Sequence, residues 1–108
     1  MQVHLQDSYD ICTEITKSEA KNFYYAFITL PKYKRMGIYA VYAFARHCDD
    51  ISDDKQSQNQ FDQFTNLRKE LKLSIEGRVT SNPIMPALID TINKFSIPDS
   101  YFYELIDG

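Results

Sequence analysis

An all-α fold is what this sequence predicts, and three observations carry the prediction. Only three Gly and four Pro punctuate 108 residues, so the turns and bulges that need them are few. Apolar residues recur three and four positions apart through most of the chain, which is the period of a helix face. Alternating apolar and polar runs, the mark of half-buried strands, are scarce. Hydrophobic residues make up 44% of the chain, enough for the core of one small domain or of a piece of a larger one.

In order, Met1–Asp7 reads as a loose lead-in in which His4 is solvated. Ser8 can cap a first helix over residues 9–17, with Tyr9, Ile11, Cys12 and Ile15 as its apolar positions. The pattern breaks around Ser18-Glu19-Ala20-Lys21-Asn22. Phe23–Leu30 is strongly apolar and suits a helix, although so short a run also suits a buried strand. Pro31 ends it or opens the next helix. The central helix is expected over Lys32–Asp54. Lys32, Lys34 and Arg35 fall at its start, where the macrodipole disfavours cations, so they belong to the surface or to an N-terminal loop. Lys55–Asn59 is polar and reads as a loop.

Phe61, Phe64, Leu67, Leu71 and Ile75 then mark an amphipathic helix that ends at Gly77. Arg78–Asn82 is a turn or loop. Pro83 and Pro86 suit the first turn of another helix, with Leu88, Ile89, Ile92 and Phe95 on its face. Ile97-Pro98-Asp99 is a turn, and Asp99 or Ser100 caps a last helix bearing Tyr101, Phe102, Leu105 and Ile106. That helix has scarcely two turns before Gly108, so the chain reads as the beginning of a longer protein.

Composition removes several function classes. A formal charge of −3 and no conspicuous basic patch argue against a nucleic-acid surface. Cys12 and Cys48 are too few and too far apart for a disulfide framework or a zinc site. They read as buried thiols of a reducing, cytoplasmic compartment. No run of 18 apolar residues exists to span a membrane.

The chemistry concentrates in Tyr39–Asp54. On a helix, Tyr39, Tyr42, Arg46, Asp49, Asp50 and Asp53 share a stripe, aromatic below and ionic above. Asp49 with Asp53, and Asp50 with Asp54, are like-charge i,i+4 pairs that each cost a helix roughly 0.2–0.5 kcal/mol. They also lie near a helix C-terminus, which disfavours anions. A cation relieves both problems. Oxygen-only ligands suit Mg²⁺, which takes one or two carboxylates and completes its shell with phosphate oxygens and water. Arg46 is a planar, permanently charged donor suited to phosphate. The combination suggests a Mg²⁺–diphosphate site. The competing reading is ordinary: acidic helix ends are usually solvated surface, and aromatic residues at helical spacing are mostly core. Tyr24 and Tyr25, adjacent in sequence, cannot both face one channel.

Asn22-Phe23-Tyr24-Tyr25-Ala26-Phe27 with Leu30-Pro31, then Tyr39–Arg46 and Asp49-Asp50-Ile51-Ser52-Asp53, together resemble the N-terminal part of squalene/phytoene synthases. Asn82-Pro83, Pro86-Ala87-Leu88 and Phe102–Gly108 fit the same pattern, so the resemblance covers the chain from about Glu19 onward. It implies an all-α isoprenoid synthase bundle that joins two prenyl diphosphates, farnesyl or geranylgeranyl, head to head through a cyclopropyl diphosphate. It implies Mg²⁺, with Mn²⁺ as substitute, on Asp49 and Asp53. By position, Arg46 resembles the diphosphate-contacting arginine and Tyr42 the tyrosine one turn below. Glu19–Asn22 falls on the family's substrate-contacting segment, where Lys21 and Asn22 retain polar contacts and Ala20 offers none. Phe23 and Phe27 would line the channel for the isoprenoid tail, and Tyr24, Tyr25, Tyr39 and Tyr42 would add to its wall.

The family's second aspartate-rich motif does not follow Asp54 here. The resemblance therefore implies an N-terminal fragment, inactive alone, of a parent enzyme, with peripheral contact to a membrane and self-association of exposed apolar faces as expectations. NADPH use, which separates squalene formation from the other products, leaves no mark on these residues. A helical assembly domain that keeps the fold without the chemistry is the other class of reading, and a different terpenoid enzyme sharing only the Asp-rich logic is a third.

Overall fold

The computed structural model describes residues 3–53 and 59–108. Within them the chain forms six helices, α1 (Leu5–Glu19), α2 (Lys21–Ala26), α3 (Lys32–Asp53), α4 (Gln60–Ile75), α5 (Met85–Phe95) and α6 (Asp99–Asp107). The all-α expectation holds. Asp54 and most of the expected 55–59 loop lie outside the described residues.

α3 is the hub, packing against α1, α4, α5 and α6. The core is built on its small and aromatic positions, Ala40, Ala43 and Phe44, followed by Cys48 and Ile51. The Phe44 ring meets Phe102 of α6 edge-on, centroids 5.7 Å apart, an arrangement favoured by the ring quadrupoles. Leu67 and Leu71 of α4 and Leu88 and Ile92 of α5 close the same core.

Several local expectations are corrected. α1 begins at Leu5, so the lead-in is shorter than expected, and His4 holds the N-cap position without a side-chain bond. Ser8 is not a cap of its own helix. It is fully buried inside α1, where its Oγ donates to the Pro83 carbonyl at 2.7 Å and accepts the Ala87 N–H at 2.9 Å. Ala87 lies in the first turn of α5, whose N–H groups have no intrahelical partner, so Ser8 caps α5 from across the core. Pro86 sits in the first turn of α5, while Pro83 precedes it. α6 likewise starts after Pro98 with no side-chain cap, so neither Asp99 nor Ser100 serves as one.

The Phe23–Leu30 run is only partly helical. α2 stops at Ala26 and the chain turns through Leu30. Thr29 is β-branched, and Leu30 precedes a proline, which disfavours helical geometry there. Arg35 secures the turn, donating from Nη1 to the Leu30 carbonyl at 3.1 Å. That task explains a cation in the first turn of α3. At the other end of α3, the Gln60 side-chain amide donates to the carbonyls of Ile51 and Ser52, both at 2.9 Å. Those carbonyls are among the last four of the helix and lack partners inside it. α4 ends at Ile75, two residues before the expected Gly77, whose φ of 87° beyond the cap allows the N–H groups of Gly77 and Arg78 to reach back to Ser74 and Leu73.

Candidate functional site

One face of α3 forms the wall of an apolar groove of about 570 Å³, lined by Ile38, Val41, Tyr42 and Ala45 of α3, Phe23 of α2, and Thr91 and Phe95 of α5. The Phe23 and Tyr42 rings lie 5.1 Å apart. Phe27 packs behind Phe23 at 4.8 Å and is not in the groove wall. Most of the other rings expected in the wall lie elsewhere. Tyr39 is 1% exposed, its hydroxyl donates to the Tyr24 carbonyl at 2.9 Å, and its ring stacks on Tyr24. Tyr25 is half-exposed on the outer surface. Tyr24 and Tyr39 pack against one another, the ordinary outcome for aromatic residues at helical spacing.

Helix register carries the groove face into the acidic residues. Asp49 lies seven positions beyond Tyr42 and four beyond Ala45, and Asp53 one turn further, which keeps them on one side of α3. Both are exposed. The arrangement is an apolar trough with a carboxylate pair at its end, not a sealed cavity.

Arg46 stands one turn beyond Tyr42 and is half-buried. Its Nη2 lies 3.5 Å from Glu19 Oε2, and its Nε lies 3.1 Å from Asp50 Oδ1. The Nε is buried and makes no hydrogen bond, so the Asp50 contact is an ion pair by proximity. Asp50 is the main cause of a guanidinium pKa pushed above its ordinary value; burial opposes it, and Glu19 and Tyr42 reinforce it. Arg46, Glu19, His47 and Asp50 face a second hollow of about 450 Å³ between α1, α3 and the Asn82–Ile84 segment. The sequence signalled the Arg46–Asp50 contact through its i,i+4 spacing. Glu19 could not be read as Arg46's partner, because that pairing depends on how α1 packs against α3.

Lys21 and Asn22 are exposed on the first turn of α2, immediately before Phe23. Cys48, between the core and the ridge, is a free buried thiol. Burial, and then the Asp49 carboxylate, push its pKa up to about 11. Among the described residues no cluster of three or more His, Cys, Asp or Glu side chains is arranged to hold a metal ion. The donors at the groove's end are two carboxylates. That set fits Mg²⁺, which binds proteins through one or two carboxylates and fills its octahedron with phosphate oxygens and water. Among the described residues no helix is long and apolar enough to cross a membrane.

The squalene/phytoene synthase family model matches residues 16–108. The chain is 36% identical over 105 residues to a phytoene synthase of Mycobacterium tuberculosis, covering 96% of this chain and 34% of that protein. It is 32% identical over 108 residues to a 4,4'-diapophytoene synthase of Staphylococcus haemolyticus, covering 95% and 36%. Among solved structures, the squalene synthase HpnC of Alicyclobacillus acidocaldarius superposes with a TM-score of 0.84 at 29% identity, over 95% of this chain and 38% of the other. A ligand-bound dehydrosqualene synthase superposes with a TM-score of 0.83 at 34% identity, over 96% and 36%. The chain thus spans about a third of the length of the curated relatives it matches.

Proposed function

Because the chain belongs to the squalene/phytoene synthase family, we propose that it forms the first wall of the active site of a Mg²⁺-dependent enzyme joining two prenyl diphosphates head to head. The observation that carries this reading is continuity: one helix presents an apolar groove and, in the same register, Asp49 and Asp53, while Arg46, one turn beyond the groove residue Tyr42, faces the neighbouring hollow. A prenyl diphosphate has the matching form, a hydrocarbon tail ending in a polyanion.

In this reading the tail lies along Phe23, Ile38, Val41 and Tyr42, which exclude water from the carbon that becomes cationic. The diphosphate lies beside Arg46, with Lys21 and Asn22 on the neighbouring α2 as further polar contacts. Asp49 and Asp53 hold Mg²⁺, or Mn²⁺ in its place. Bound there, the metal supplies positive charge to a diphosphate leaving group. Arg46 stays charged at any working pH, so its contribution is geometric. To reach phosphate it gives up Glu19 or Asp50, and exposed pairs of this kind are weak, whereas a guanidinium–phosphate contact is bidentate and charge-assisted.

These 108 residues carry one carboxylate pair of the two expected, so catalysis belongs to a longer parent chain and not to this segment alone. Cytoplasmic placement belongs to the same reading, resting on the reading of Cys12 and Cys48 as buried thiols of a reducing compartment, and both are buried. Contact with a membrane surface and pairing between copies belong to the same reading, supported by Ile28, Tyr33 and Phe95 exposed near Lys32 and Lys34.

Titration calorimetry with farnesyl diphosphate tests the site directly. Binding is expected to depend on Mg²⁺ and to weaken at least about tenfold in Asp49→Asn and Asp53→Asn, the loss of a charged contact. Arg46→Ala weakens binding with or without the metal. Equal affinity in all three variants would remove the assignment.

A further inference from the structure

We infer that Phe95 sets the length of hydrocarbon tail the groove accepts, an inference that rests on the tail-binding reading above. Among the groove residues of α3, Ala45 stands nearest the acidic pair and Lys34 furthest from it. They stand eleven positions apart on the helix, about 16 Å of axis. At the far end the groove meets Leu30, Ile97 and the ring of Phe95, the last residue of α5.

Three features hold that ring in place. The first is Gly37. A Cβ there would lie 2.9 Å from Phe95 Cε2 and 3.2 Å from Thr91 Cγ2, so only glycine lets the ring lie against α3 without displacement. The second is Tyr33, whose ring runs parallel to that of Phe95, 7° apart in plane, with centroids separated by 6.2 Å. The third is the backbone. Ser96 turns left-handed at φ 52°, ψ 44° and the Ile97 N–H closes on the Ile92 carbonyl at 3.1 Å, so the residue bearing the ring ends a fixed helix terminus.

Beyond the ring the surroundings change character. Lys34 brings its ammonium to 5.9 Å from the Tyr33 centroid, and a hydrocarbon passing Phe95 would have to strip water from that charge. A tail anchored by its diphosphate at Arg46 and Asp49 therefore runs down α3 until it meets Phe95. Phe95 touches the tail's end and takes no part in the chemistry, so its effect falls on which chain length is accepted.

The test compares farnesyl and geranylgeranyl diphosphates, which differ by one isoprene unit, by calorimetry with Mg²⁺ on the unaltered chain, Phe95→Ala and Tyr33→Ala. In Phe95→Ala the ratio of geranylgeranyl to farnesyl affinity is expected to rise about tenfold, the discrimination a pocket gains from fitting or refusing a small apolar group. Tyr33→Ala keeps the ring but removes its backing and shifts the ratio the same way by less. Both residues are substantially exposed, so the variants should fold, and matching circular dichroism melts establish it. If both ligands bind and the ratio is unchanged in both variants, Phe95 is not the stop and the tail-binding reading stands. If neither ligand binds the unaltered chain, that reading is lost and this inference with it.

Discussion

Ser8 shows how far a residue's role can depart from its sequence neighbourhood. A serine before an apolar run is a good local N-cap. In the fold its hydroxyl joins the Pro83 carbonyl to the Ala87 N–H, two groups about 75 and 79 positions away, a distance over which local pattern says nothing. Ser8→Ala leaves both without that partner, and stability should fall by about 1–3 kcal/mol, read as a lower urea midpoint at unchanged slope. Arg46 gives the mixed case. Its contact with Asp50 follows from helix spacing, while its contact with Glu19 requires two helices to be packed. Asp49 and Asp53 stand out in the sequence for a simpler reason: their like-charge spacing is unfavourable without a cation, and that is a property of one helix alone.

At the scale of elements, α3 was legible because it buries a continuous face over many turns, and α4 because Leu67 and Leu71 are buried at helical spacing, although Phe61, expected on the same face, is exposed. α2 was not. Its run looked long, yet it buries no residue fully and stops before Pro31. α5 ends on a residue less suited to its conformation than the one that ends α4. Ser96 occupies the left-handed region, where a side chain costs about 1–2 kcal/mol, whereas Gly77 adopts a similar φ freely. Ser96→Gly should therefore raise stability by up to about 1 kcal/mol, part of the relief being offset by the greater freedom of glycine in the unfolded chain. A chemical-denaturation midpoint measures it, and no gain would mean that the cap is stabilised in some other way.

For the molecule as a whole, the fold class was readable and the groove was not. The groove needs α5 laid against α3 with Phe95 over Gly37, a juxtaposition 58 positions apart in the chain. The shared core also makes a global pH response. Burial raises Tyr9 and Cys12 to about 12 and Cys48 to about 11; Asp90 adds to the first and Asp49 to the last. Unfolded thiols and phenols lose protons near pH 8.5 and 10 respectively, so above those values the unfolded state binds fewer protons than the folded one. Stability from these groups is complete below about pH 8.5 and is lost as pH rises towards the folded values. The melting temperature should hold steady up to about pH 8 and then fall between roughly pH 9 and 12. Cys12→Ala with Cys48→Ala should flatten the early part of that fall, visible in melts at successive pH values. A decline of the same steepness without the thiols would assign it to other groups.

Since α3 bears both the trough and the carboxylates on one uninterrupted rod, their relative azimuth is set by residue count alone. Each added residue advances a helix by roughly 100°. A single insertion between Tyr42 and Arg46 would swing the acids away from the trough while leaving every side chain intact, whereas seven added residues, nearly two whole turns, would bring them back into phase. This stretch should therefore reject most changes of length, a constraint of phase that adds to the packing demands on the buried Ala43 and Phe44.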